Sequence, residues 1–457
     1  MKRNVLWWLL SSLVILALLL PGCGPAATEE PAEPAEPAEP EPAEELVEVI
    51  WYVRTEESEQ PWEQDVIIPD FEAKHPNIKI NLTVVTWDDF DTKMQTMIAA
   101  GTPPDIWSHW GPSGFADYVI RGLAADLTPY IERDNYDLSD FIPEVLDIYT
   151  LGGKIYGLPM LTTGSFIYYN KDLFDAMGVE YPPTDWDDTS WTYDAFVEMC
   201  GELNNDTGDP ETMSFGCNLG FWPNDAFAWL FGQDLYPDSA YETGFAEEAY
   251  LDSEAAIKGF QARQDMVWDL NYMPDPAQTD AMGGGDIYLN EKVAMHLTGG
   301  WGWWNYNEVD FNWGAAALPY GGPDRRCVVF TDPWMLSAHT DHPDEAWEFL
   351  KYLASPEVQK GFMELTGAPP ARISLAEGWY KQFPTMTPEE VRELHLGALK
   401  HGRESPNHLL VRFDQLNQVV NAAVDPIVNN EAKAADVLPD ANAQLEKALQ
   451  SIKAEYE

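Results

Sequence analysis

Cations are scarce in this chain. Its 457 residues include 26 Lys and Arg against 77 Asp and Glu, a formal net charge of −51. Such a field repels phosphate backbones, which excludes nucleic acid as a partner, and it disfavours anionic membrane surfaces and highly phosphorylated substrates. Cysteine is nearly absent, at four residues, and no Cys/His spacing resembles a zinc site. There is no phosphate loop, no HExxH helix and no Ser-His-Asp motif. Asp185–Asp188 and Asn204–Asp209 are rich in oxygen ligands but lack EF-hand spacing, and read as solvated loops. No metal or cofactor is therefore expected. What is plentiful is apolar and aromatic: 45% of residues are hydrophobic and 19 are Trp. That rules out wholesale disorder and leaves room for two or three domains at ~100–200 residues each.

The long apolar run Val5–Leu20 follows Lys2 and Arg3. It is too short and too early for an ordinary spanning helix, and has the charged-then-apolar layout of a secretory signal. It ends in Leu20-Pro21-Gly22-Cys23, which resembles a bacterial lipobox, so residues 1–22 are expected to be a signal peptide and Cys23 the lipidated first residue. Residues 24–45 form a Pro-Ala-Glu repeat without side chains large enough for a core. Proline stiffness and glutamate repulsion make it an extended spacer at ~3.1 Å per residue. A lipid and a stiff tether place the folded part outside the cytoplasm, held to a membrane only through the anchor.

From Leu46 onward, strand and helix patterns alternate. Leu46–Val53 and Ile78–Val84 alternate as strands, and Trp87–Ala100 has helical periodicity up to Gly101. Asp105–Trp110, Ser165–Asn170, Phe215–Leu219, Lys292–Leu297, Trp313–Leu318 and Cys327–Ser337 read as further strands. Helices are expected at Lys171–Met177, Trp191–Asn204 (capped by Thr192), Ser253–Asn271, Glu345–Ala354, Pro356–Glu364, Pro388–Lys400, His408–Val424 and Ala435–Glu455. The alternation predicts an α/β layered fold with a mostly parallel sheet. Cys200 and Cys217 lie on a helix and a strand; a disulfide between them and a set of buried thiols are both open at this stage.

Several segments carry a resemblance in their order and spacing: AAGTPPDI (Ala99–Ile106), GLAADLTPYI (Gly122–Ile131), GGKIYGLPMLTTGSFIYYNKDLFDAMG (Gly152–Gly178) and WTYDAFVEMCGEL (Trp191–Leu203). They continue with KVAMHLTGGWGWW (Lys292–Trp304), GAAALP (Gly314–Pro319), AWEFLKYLASPEVQK (Ala346–Lys360) and GAPPAR (Gly367–Arg372). Together they resemble the bacterial extracellular solute-binding proteins of carbohydrate ABC importers, the group that includes maltose-binding protein. The resemblance implies a two-lobed, periplasmic-binding-protein-like fold of type II, with a ligand cleft between lobes joined by crossing segments. The chain would cross near Leu158–Ser165, Cys327–Trp334 and Arg372–Gly378. Lobe 1 would hold 46–158 with 327–375, and lobe 2 would hold 159–326 with 376–457. It further implies a monomer that captures a neutral sugar, without catalysis, and delivers it to ABC transporter permease subunits.

A sugar presents C–H faces and hydroxyls, so its site needs flat aromatic surfaces with planar polar groups at their rims. By resemblance of position the aromatic candidates are Trp110, Trp222, Trp301, Trp334 and Phe413. The glycine pair before Trp301 allows close backbone approach. Polar candidates are Asp332, Arg372, His109, Asp89 and Asn224. Two rivals remain from the residues alone. The strong negative field would suit a cationic ligand such as a polyamine or peptide, and a secreted glycoside hydrolase would need only two of the many carboxylates.

Overall fold

The computed structural model describes residues 46–456 apart from 55–58, 87–88, 109–113, 206, 210, 221–223 and 308. The expected signal peptide, Cys23 and the tether lie outside the described residues. The strands are β1 (Val47–Arg54), β2 (Ile78–Val85), β3 (Ile106–Ser108), β4 (Thr150–Leu151), β5 (Lys154–Ile155), β6 (Gly157–Thr163), β7 (Ser165–Asn170), β8 (Phe215–Leu219), β9 (Val293–Gly299), β10 (Trp313–Ala316), β11 (Cys327–Leu336) and β12 (Gly402–Glu404).

Two main sheets organise the chain. In the first the order is β12-β11-β3-β1-β2, with β6 also paired to β11. Its β3-β1-β2 portion is parallel, as strand–helix alternation predicts. The second has the order β10-β7-β9-β8. There the expectation of a mostly parallel sheet fails, because β7 runs antiparallel to both β10 and β9 and only β8 and β9 are parallel. The physical reason is the entry route: β7 follows β6 after the single residue Gly164, with no crossover helix to reset its direction.

Each sheet has its own core. Val49, Trp51, Ile106, Leu158, Leu161, Trp334 and Trp347 belong to one apolar cluster, whereas Phe166, Tyr168, Leu297, Trp303, Phe330 and Phe413 belong to another. Membership therefore changes between Leu161 and Phe166, and again between Phe330 and Trp334. A third change falls between Ala371 and Trp379, at the segment Arg372–Gly378. The first two fall at the β6–β7 junction and within β11. They lie side by side, since β6 and β11 pair antiparallel from Phe330↔Thr163 to Met335↔Gly157, with a register shift between Asp332 and Pro333.

Local chemistry sets the helix ends. Lys171–Met177 starts where Asn170 accepts from the Leu173 N–H and stops at Gly178, whose φ of 70° suits a residue without a Cβ. Thr192 caps Tyr193–Glu202 by accepting from Ala195 N–H. The single helix expected at His408–Val424 is two, Pro406–Leu409 and Phe413–Val428, because Arg412 between them is left-handed at φ 55°. Cys200 and Cys217 are free, buried thiols rather than a disulfide. Burial pushes the Cys200 thiol well above its ordinary value, and its hydrogen bond with Cys217 adds to the rise.

Two predictions follow from these cores. Trp303 is fully buried among Phe166, Tyr168, Trp313, Trp379 and Phe383, with ring centroids 4.8 to 5.8 Å away. Trp303→Ala should destabilise the protein by about 3–5 kcal/mol, read as a lower urea midpoint. Asp225 is fully buried and neither carboxylate oxygen has a hydrogen-bond partner. Burial pushes its carboxyl up to about 7, with Asp234 adding to the rise. A carboxyl raised in the folded state favours folding below its unfolded value, and that advantage is lost as pH climbs through the folded one. Asp225→Asn should therefore melt higher than the parent at pH 8, and the gap should close towards pH 4.

Candidate functional site

The crossing strands form the floor. Phe330 and Asp332, two apart on β11, are cross-strand partners of Thr163 and Leu161 on β6. On the lobe 2 side Trp301 is half-buried, its ring 5.1 Å from that of Phe330 and tilted by 56°. The glycine pair before it is used for close approach: a Cβ on Gly300 would fall 1.7 Å from Thr163 Oγ1, and one on Gly299 would fall inside the Trp301 ring. The Thr163 hydroxyl itself is buried without a hydrogen-bond partner.

Beside this ribbon lies the segment 402–411, which the sequence pattern gave no reason to single out. It is fastened to lobe 2 through Arg403, which donates to Asp234 Oδ2 at 2.8 Å, pairs with Asp238 and stacks 4.6 Å above the Tyr241 ring. It meets lobe 1 at Gly114, where a Cβ would collide with the Asn407 carbonyl oxygen at 2.0 Å. Between these contacts runs a buried polar chain. Thr331 donates its hydroxyl proton to Glu404 Oε2 at 2.9 Å, so the Tyr149 hydroxyl must be the donor to Thr331. Glu404 Oε1 pairs with His408 Nδ1. Burial pulls the His408 imidazole down, but the adjacent Glu404 and Asp332 outweigh it and leave the ring above its ordinary value. Asp332 is 7% exposed. Burial pushes its carboxyl up to about 7; His408 and Arg54 oppose the rise and Glu404 adds to it.

Lobe 1 carries a small cavity of about 20 Å³, lined by Trp51, Arg54, Trp62, Met160, Trp334 and Phe362 among others. Trp334 reaches only this side. It is 6% exposed and packs edge-on to Trp51 at 5.7 Å in the lobe 1 core. β11 is paired residue by residue from Asp332 to Trp334, the extra residue at the register shift being Met160 on β6, and it is packing on Trp51 that holds the Trp334 ring in the core.

Other expected residues are placed elsewhere. Phe413 is wholly buried in the lobe 2 core, so it offers no stacking face. Arg372 is 4% exposed and fully used: it donates to the Ala354 carbonyl, to Asp140 Oδ2 at 3.2 Å and to the Tyr136 hydroxyl, and lies 4.0 Å over Phe141. Asp89 is exposed and paired with Lys93 at 3.0 Å, before the helix Phe90–Ala99. Asn224 spends its amide on Asn421 at 2.8 Å and receives Arg263 at 3.2 Å. His109, Trp110 and Trp222 lie outside the described residues. Trp301 thus lies against Phe330, two residues from Asp332 on β11, with Thr163 across the ribbon from Phe330 and Arg54, Tyr149, Glu404 and His408 around Asp332. Among the described residues no group of three or more His, Cys, Asp or Glu converges on a metal position, and no helix is long and apolar enough to cross a membrane.

Known proteins share this fold. The chain is 25% identical over 393 residues to a putative binding protein of Brucella abortus (strain 2308), covering 83% of this chain and 88% of that one. It is 26% identical over 274 residues to the maltodextrin-binding protein of Bacillus subtilis (strain 168), covering 54% of this chain and 61% of the relative. Among solved structures, an ABC substrate-binding protein from Listeria monocytogenes in complex with cycloalternan superposes with a TM-score of 0.75 at 23% identity, over 89% of this chain and all of that one. A maltose-bound protein of T. maritima gives 0.68 at 20% identity, over 89% and 99% of the two chains. Those likenesses establish the two-lobed α/β fold. The family profile for bacterial extracellular solute-binding proteins matches residues 55–360, and the chain belongs to that family.

Proposed function

We propose that this protein captures a neutral sugar or oligosaccharide outside the cytoplasm by closing its lobes around it, and presents the closed form to an ABC transporter permease. One observation carries the reading. Trp301, half-buried against Phe330, stands next to a floor with an unpartnered Thr163 hydroxyl and the Asp332 carboxyl, so a flat apolar face adjoins hydroxyl-directed polar groups. That pairing suits a pyranose ring, whose C–H face stacks while its rim hydroxyls find partners. The relatives that bind maltodextrin or cycloalternan support it. His109, Trp110 and Trp222 would complete the walls, and Cys23 with the Pro-Ala-Glu spacer would hold the monomer at the membrane through a lipid. The chain acts as a binder, without a catalytic step.

Closure is a population shift: ligand contacts made to both lobes favour the closed form over the open one. The buried Asp332 and the acidic field also favour a second reading, a cationic ligand in the same cleft. Salt separates the two, since sugar affinity should hardly change between low and high ionic strength while that for a cation should fall.

A thermal-shift panel of neutral mono- to tetrasaccharides should raise the melting temperature with at least one member, because a ligand that binds only the folded state stabilises it. No shift across the panel, with a shift on a polyamine, would replace the sugar reading. Trp301→Ala should weaken sugar binding by about 2 kcal/mol, roughly thirty-fold in Kd by isothermal titration, and leave the circular dichroism unchanged. Unaltered affinity would remove Trp301 from the site.

A further inference from the structure

Two carboxylates are buried at the cleft floor, and the protein treats them differently. Glu404, 2% exposed, accepts the Thr331 hydroxyl on one oxygen and is ion-paired to His408 through the other. The Asp332 carboxyl meets only burial and the charges of its neighbours, with no hydrogen-bond donor to it among the described residues, while its main chain pairs with Leu161. It stands on the crossing strand at the register shift, two residues from the Phe330 that backs Trp301. The charged and titratable groups around it come from every neighbouring element: Arg54 at the end of β1, Glu404 at the end of β12, His408 on Pro406–Leu409, and Tyr149 after the helix Pro143–Ile148. A buried carboxylate without donors is expensive, whereas one that accepts two hydroxyl hydrogens is not.

We propose that Asp332 is a proton-linked acceptor of ligand hydroxyls: the empty site holds it protonated, and the bound sugar donates to the ionised carboxylate as one proton leaves to solvent. The step breaks the Asp332 O–H bond, replaces it with sugar O–H donors, and passes the proton to the buffer. No covalent bond to the sugar forms. The Glu404–His408 pair stands beside Asp332 and acts on its carboxyl in opposite directions, His408 favouring the ionised form and Glu404 opposing it. Burial, which pushes the empty-site carboxyl up to about 7, places the transition within the neutral range. This inference rests on the sugar reading and adds to it the identity of the acceptor and the direction of its pH dependence.

For an acid titrating near 7 when empty and well below when loaded, affinity improves about tenfold from pH 6 to pH 8 and then levels off. The experiment is isothermal titration of the full chain with neutral saccharides, from glucose to maltotetraose with galactose and lactose included. It is run at pH 7 in phosphate and in Tris, and repeated at pH 6 and 8. Release of about half a proton at pH 7 should make the apparent enthalpies differ between the buffers in proportion to their ionisation heats. Asp332→Asn should abolish both the buffer difference and the pH dependence while retaining weaker binding, and should melt higher than the parent at pH 8 without ligand. The wild-type comparison stands alone if that variant fails to fold. Equal heats in both buffers with a Kd unchanged from pH 6 to 8 overturn the proposal and leave sugar binding intact. Proton release that persists in Asp332→Asn overturns the assignment to Asp332. No binding by any saccharide at any pH overturns both this proposal and the function it rests on.

Discussion

One strand belongs to both halves of this molecule at once. β11 runs from one apolar core (Val328, Phe330) into the other (Trp334, Leu336), and β6, whose core residues lie in the second, pairs antiparallel with its Phe330–Met335 stretch. Any motion of the lobes must therefore bend or twist this ribbon, and whatever sits on it feels both lobes. That constraint explains why the polar groups gather here. Thr163, Thr331 and Asp332 are on the ribbon, and Tyr149, Glu404 and His408 press on it from the sides. A hydroxyl-rich guest held at this point would touch a strand that enters both cores.

The segment 402–411 is what makes the floor more than a pair of strands. Arg403 ties it to Asp234 and Asp238 in lobe 2, and the close approach at Gly114 ties it to lobe 1. It delivers Glu404 and His408 to a crossing strand some seventy residues earlier in the chain. Cation scarcity sharpens the effect: with 26 Lys and Arg against 77 acids, many carboxylates have no cation of their own. Buried ones such as Asp225 and Asp332 respond by holding their protons towards neutral pH.

Much of the architecture was legible because periodicity and capping are local. The strand at Phe215–Leu219 and the helix Lys171–Met177 match their sequence patterns residue for residue, and Thr192 caps its helix as expected. The parallel part of the first sheet follows from strand–helix alternation, whereas the antiparallel pairing of β7 depends on the crossing, which no local pattern reveals. The site was less legible. Trp301 was singled out through its glycine pair and the family resemblance, and the structure leaves it half-buried against Phe330. Trp334 was expected at the cleft, but edge-on packing against Trp51 claims its ring for the lobe 1 core. Phe413 and Arg372 stand at suggestive positions, yet packing against Trp303's cluster and pairing with Asp140 claim them. Glu404 and His408 had no signal at all: a three-residue strand and a four-residue helix are too short for periodicity to speak, and their partners are remote in sequence.

The central claim is that a sugar bound on the shared ribbon draws the lobes together. Small-angle X-ray scattering of the protein alone and at saturating saccharide measures this directly. The account predicts a smaller radius of gyration in the loaded protein, with a sharper fall at intermediate angles. An identical scattering curve in the two states, at a saccharide concentration shown by calorimetry to saturate the site, would contradict it.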